Sequence, residues 1–167
     1  FDKGNDLLSQ ESNLYIYEGS FMVKDIKAEQ MVNRYDAIFI DYLQLLRPDR
    51  TRTNRREEVA DISKGLKRIA MDYKIPVFAL SQLNRASELN KDKEPTMAEL
   101  REAGDIEQDA STILMLWNPN KEDFTTKMLK VEKGRQTGNS RQILRFEGSR
   151  MTFYEEGFKE ADDDMDI

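Results

Sequence analysis

Residues 37–41, Ala-Ile-Phe-Ile-Asp, constrain the fold more than any other stretch of the chain. An unbroken apolar run of this length suits a strand covered on both faces, as in parallel sheets. A second such run, Val77 to Leu80, follows a segment in which Val59, Ile62, Leu66, Ile69 and Tyr73 recur at spacings of 3, 4, 3 and 4. That spacing predicts a helix with one apolar stripe lying on a sheet. Strand, crossover helix and strand predict a right-handed βαβ unit, and with it a mainly parallel α/β sheet flanked by helices. In open sheets of this kind, ligands bind beyond the carboxyl ends of the strands. Asp41, Ser81-Gln82 and the residues after Trp117 are therefore expected on one edge, and that edge is the expected site.

The remaining elements follow from local pattern. Leu14 to Tyr17 suit a short strand, Gly19-Ser20 a turn, and Met22 to Arg34 a helix of loose apolar spacing. Arg47 to Arg56 form a loop with five arginines against one Asp49. Asn54 with Glu57 three residues on has the form of a capping box, which starts the long helix there. Ile75-Pro76 ends it. A brief helical turn is expected at Asp105 to Asp109 and a third apolar strand at Ile113 to Trp117. Lys127 to Glu132, Gln142 to Phe146 and Met151 to Tyr154 alternate in the manner of antiparallel strands. Residues 1–12 show no clear period.

Composition excludes several chemistries. With no cysteine and no histidine among the 167 residues, disulfides, thiolate metal sites, His-based triads and zinc sites are impossible. The apolar runs are too short to span a bilayer, and no signal-peptide pattern opens the chain. The formal charge of −6 is concentrated in Glu155 to Ile167, where seven acids stand against Lys159. Residues 1–154 are thus near neutral, and 155–167 read as an acidic, disordered tail. Global charge therefore does not argue against nucleic acid.

Residue types alone leave the site open. An Asp ending an apolar strand holds Mg²⁺ in P-loop NTPases, yet a structural Asp is the commoner case. Gln82 suits a strand-end amide bonded to a loop. Arg101 suits a surface arginine ahead of a helix cap at Asp105, and Lys133-Gly134-Arg135 a solvated basic turn. Four stretches in order change this balance: Ile-Asp-Tyr-Leu-Gln-Leu (40–45), Ala-Leu-Ser-Gln-Leu-Asn-Arg (79–85), Leu-Arg-Glu-Ala-Gly-Asp-Ile-Glu-Gln-Asp-Ala (100–110) and Lys-Gly-Arg-Gln-Thr-Gly (133–138). Together they resemble the C-terminal, RecA-like motor domain of DnaB-type replicative helicases of bacteria and phages, over about Asn13 to Tyr154.

The resemblance implies a RecA-like fold and a set of roles. Asp41 matches the Walker B aspartate that supports Mg²⁺ beside ATP, through water. Gln82 matches the polar sensor of the γ-phosphate, where an amide can donate and accept without titrating. Arg101, Glu102 and Gly104 match the loop that touches single-stranded DNA; an Arg beside a Gly offers a phosphate one charged fork and one close backbone approach. Lys133 and Arg135 match the arginine-finger pair that reaches the neighbouring subunit's ATP. The implied protein is an ATP-dependent helicase working as a homohexamer on single-stranded DNA in the bacterial or phage cytoplasm. Primase and a helicase loader are its implied partners, and no membrane is.

The chain also departs from that family. A Walker A loop needs Gly-x-x-x-x-Gly-Lys-Ser/Thr, and none of the eight glycines here is followed by lysine. The family's catalytic glutamate has no identifiable counterpart. Residues 1–154 are therefore expected to be a partial motor domain, inactive alone, from a working helicase. The alternative is a truncated, ATP-independent relative that binds DNA or other subunits.

Overall fold

The computed structural model describes residues 13–83, 94–100, 103–120, 122–134, 138 and 140–155. Helix α1 (Val23–Asn33) starts where the Met22 N–H donates to Asp25 Oδ2 at 2.9 Å, and it stops at Arg34, which turns left-handed with φ 54°. Its buried Gln30 makes two reciprocal bonds of 3.1 Å with the backbone of Tyr35. A buried amide is stable only when both ends are bonded, and here the pairing fixes how the chain enters the first strand. The expected strand at Leu14 to Tyr17 does not form. No described strand pairs with it, and aromatic contacts hold the segment instead, with Tyr15 and Tyr35 rings 5.4 Å apart.

Strand β1 (Ile38–Ile40) pairs in parallel with β2 (Val77–Ala79), Ile40 lying opposite Ala79. Between them runs α2 (Arg55–Tyr73), which ends at Lys74 in a left-handed turn. Its cap is Asn54, whose side chain accepts the Arg56 N–H at 2.9 Å. The reach back from the first turn comes from Glu58, accepting the Arg52 N–H at 3.4 Å, rather than from the expected Glu57. The apolar stripe performs as its spacing requires: Val59, Ile62, Leu66 and Ile69 are buried in one cluster with Ile40, Leu43, Leu46 and Val23. Full burial of each such side chain contributes about 1.5–3 kcal/mol. This cluster holds the ends of β1 and β2 against α2.

The expectation of cover on both faces is corrected. Phe39 is 70% and Phe78 49% exposed on the face away from α2, their rings stacked at 4.7 Å. No described element lies over them. A run of apolar residues records a buried environment without naming what supplies it, and here one supplier is absent from the described residues.

After a single turn of 3₁₀ helix at Met97–Glu99, α3 (Ala103–Asp109) leads into β3 (Thr112–Trp117). β3 does not extend the parallel sheet, as its apolar run suggested. It heads a four-stranded antiparallel sheet with β4 (Thr126–Gly134), β5 (Ser140–Glu147) and β6 (Thr152–Glu155), in that order. Ile113 and Met115 point inward onto Leu100, Leu83 and Met97, whereas Leu114 and Leu116 stand exposed. Glu94 ties the preceding segment to this sheet through Lys130 at 2.6 Å and Arg141 at 2.7 Å. The mixed α/β fold expected from the sequence is thus present as a small parallel sheet and a larger antiparallel one. The acidic tail lies outside the described residues beyond Glu155.

Candidate functional site

The carboxyl ends of β1 and β2 form the site edge. Asp41 follows the last residue of β1 directly and is exposed. Among the described residues its carboxylate makes no hydrogen bond or ion pair. Leu80 N–H donates to Ile40 O at 3.0 Å, and the next rung is Leu43 N–H to Leu80 O at 2.8 Å. Alternate residues of a parallel strand bond to a given neighbour, so Asp41 falls between rungs in any case, and the donor passed over is Tyr42, whose place Leu43 takes. A single turn of 3₁₀ helix, Leu43–Leu45, then buries Leu43 in the core and anchors the loop.

Gln82 sits two residues beyond that last backbone rung, exposed at the end of β2. Gln44 extends the zipper with its side chain. Its Nε2 donates to Ser81 Oγ at 3.0 Å, and its Oε1 accepts the Gln82 N–H at 3.4 Å. Sequence reasoning placed Gln44 inside the first motif and gave it no role. A polar side chain between Leu43 and Leu45 was the available signal. On the other side, Leu83 makes an isolated antiparallel bridge with Leu100. Gln82 is thus one residue from a pairing whose partner, Leu100, immediately precedes Arg101 in the sequence. Arg101 and Glu102 lie outside the described residues, and Gly104 is in the first turn of α3.

Lys133 and Arg135 are not brought to this edge by any described contact. Lys133, opposite Ile113 on β4, donates from Nζ to the carbonyl of Glu107 in the last turn of α3. A cation there satisfies an orphan carbonyl and complements the helix dipole. Arg135 lies outside the described residues. In the arginine-rich loop, Arg47 donates to Ser20 O at 2.9 Å, Arg52 to Asp61 at 2.7 Å, and Arg55 to Gln44 O at 2.7 Å. Three of the five arginines therefore make contacts within the chain. The Arg52 guanidinium holds the Asp61 carboxyl below the usual carboxylate range.

Chemically, an exposed carboxylate free of local partners fits a hard cation such as Mg²⁺, which commonly takes one or two carboxylates and completes its shell with water and phosphate. Among the described residues no group of three or more acids could cage a metal by itself. No described helix is long and apolar enough to cross a membrane.

Comparison with solved structures defines the class. The chain superposes on a solved ATPase domain with TM-score 0.79 and 29% identity, over 92% of this chain and 58% of that one. A DnaB-like replicative helicase, solved in a study of its interactions with primase, gives TM-score 0.77 and 30% identity over 91% of this chain and 39% of that one. The fold is that of a RecA-like helicase ATPase domain. The DnaB-like helicase C terminal domain family matches residues 5–155, and the chain belongs to that family. Among its relatives are the replicative DNA helicase DnaB of Haemophilus influenzae, 37% identical over 158 residues, and that of Rickettsia prowazekii, 46% identical over 93 residues. The match covers 88% of this chain but 34% of the Haemophilus protein, and 54% of this chain but 19% of the Rickettsia protein. The chain thus spans about a third or less of the length of these relatives.

Proposed function

We propose that this chain is part of the ATP-dependent motor domain of a hexameric replicative helicase that translocates on single-stranded DNA and unwinds duplex in the bacterial or phage cytoplasm. The observation that carries the reading is the place of Asp41, which directly follows β1, is exposed and, among the described residues, has no side-chain partner, beside the β2 end that bears Gln82. In this reading Asp41 supports Mg²⁺, through water, at the subunit's own ATP. Bound Mg²⁺ supplies charge neutralisation to the transferring phosphoryl group. Gln82 senses the γ-phosphate. The Leu83–Leu100 bridge supports a mechanical link from that sensor to Arg101, Glu102 and Gly104, the proposed contact to the DNA backbone. Contacts confined to phosphate tolerate any base sequence, as translocation requires.

Lys133 and Arg135 are assigned to the neighbouring subunit's ATP. Cations supplied in trans couple hydrolysis to assembly. That role requires Lys133 to leave the Glu107 carbonyl when a neighbour docks. Primase and a helicase loader are the proposed partners. In the full natural polypeptide, Arg135→Ala should lower DNA-stimulated ATP turnover by about a thousandfold or more while nucleotide binding persists. Unchanged turnover would sink the finger assignment, and a fully active Asp41→Asn variant would sink the Mg²⁺ assignment.

A second reading is an ATP-independent module that binds single-stranded DNA or other subunits. It expects residues 1–167 to bind an oligonucleotide without nucleotide, with affinity falling steeply with salt. A flat titration at low salt would count against it.

A further inference from the structure

The zipper between the ends of β1 and β2 changes character at the site. Up to Leu80 it is made of backbone rungs. Past Leu80 it continues through one side chain, Gln44, which bonds Ser81 Oγ at 3.0 Å and the Gln82 N–H at 3.4 Å. Gln44 is itself held from behind. Arg55, the first residue of α2, donates from Nη2 to the Gln44 carbonyl at 2.7 Å, and its Nη1 pairs with Glu58 at 3.1 Å. A guanidinium suits this post because its planar fork can hold two acceptors at once. The chain of contacts therefore runs from the arginine-rich loop, through the head of α2, to the Gln82 amide.

We propose that Gln44 is a positioning residue: its carboxamide clamps the end of β2 to the loop that presents Asp41, and Arg55 sets where the clamp sits. This deepens the motor reading above and rests on it for the role of Gln82. An amide makes both bonds without a charge, its NH₂ donating to the Ser81 hydroxyl and its oxygen accepting the Gln82 N–H. The clamp also gives the 50–54 loop, which joins the head of α2 through Arg52 and Glu58, a route to the sensor. An anionic partner drawing Arg55 off the Gln44 carbonyl would release the turn that carries Gln44.

The first test uses residues 1–167 and amide hydrogen exchange. Gln44→Met keeps side-chain length and removes both bonds. It should speed exchange at Gln82 about fivefold, the effect of losing one weak hydrogen bond. The backbone-rung amides Leu43 and Leu80 should change less than about twofold. Unchanged exchange at Gln82 overturns the clamp. So does uniform acceleration across both strands, which would report general destabilisation.

The second test reads function in the full natural polypeptide. Gln44→Met should lower kcat for ATP about as much as Gln82→Ala, with KM for ATP held within about twofold. The double variant should be no slower than the worse single one, because residues acting as a unit are not additive. A change confined to KM, or fully multiplicative losses, overturns the positioning role. If Gln82→Ala leaves turnover intact, or no turnover is found, the sensor reading falls. The clamp then stands or falls on the exchange data alone.

Discussion

Gly65 lies in the middle of α2, the helix that backs the site edge, and two effects of opposite sign meet there. By helix propensity alone, Gly65→Ala should stabilise the protein by about 1 kcal/mol. The tertiary structure opposes this. A Cβ at Gly65 would stand 2.6 Å from Val23 Cγ1 and 3.3 Å from Val23 Cβ and Cγ2. Ordinary carbon contacts begin near ~3.5 Å, so either the side chain or the helix must shift by most of an ångström. Val23 is buried in the main core cluster and β-branched, so it has no easy rotamer to escape into. Overpacking of this kind costs about 1–3 kcal/mol. The clash should win, with a net loss of about 1 kcal/mol and a melting temperature lower by about 2–4 °C. Urea unfolding monitored by circular dichroism measures it directly. The pair Val23→Ala with Gly65→Ala supplies the decisive comparison. Val23→Ala removes the obstructing methyl groups, so in that background Gly65→Ala should become stabilising. A single Gly65→Ala that gains stability, or strict additivity in the double variant, would refute the close approach of α1 to α2.

Two further outcomes are expected. Lys133→Met should remove the bond to the Glu107 carbonyl and lower stability by about 0.5–1 kcal/mol; an unaltered melting curve would mean that Lys133 does not cap α3. Asp123 accepts the Thr126 hydroxyl at 2.5 Å, the Thr125 hydroxyl at 2.7 Å and the Thr125 N–H at 2.8 Å, which hold its carboxyl well below the usual range. Because the folded pKa is depressed, this stabilisation is present above the unfolded value of about 4 and is lost as pH falls below it toward the folded pKa. Asp123→Asn should therefore flatten the pH dependence of the urea midpoint in that acid window, and superimposable profiles would contradict the assignment.

The long helix and the two site strands were legible in the sequence because their signals are local. A 3–4 spacing of apolar residues means the same stripe in any setting, and Val59, Ile62, Leu66 and Ile69 all enter the core. The four ordered motifs were legible for the same reason, and they led to the family that the comparisons show. Pairing was not local. Nothing in Leu14 to Tyr17 says that no described strand lies beside it, and nothing in Thr112 to Trp117 distinguishes a parallel partner from the antiparallel β4 that it takes. The apolar run at 37–40 declared that both faces of β1 belong in a protein interior, yet Phe39 and Phe78 stand open among the described residues.

Sequence by itself thus determined the helical stripe, the α/β alternation, the chemistry available at Asp41 and Gln82, and the exclusion of thiol and imidazole chemistry. Tertiary structure alone decided that Leu43 rather than Tyr42 makes the last backbone rung, that Gln44 completes the zipper, and that Lys133 is spent on the end of α3. The physical reason is range. Propensity and periodicity are fixed by neighbours a few residues away, whereas a hydrogen bond across 37 positions, as between Gln44 and Ser81, exists only once the chain has closed on itself.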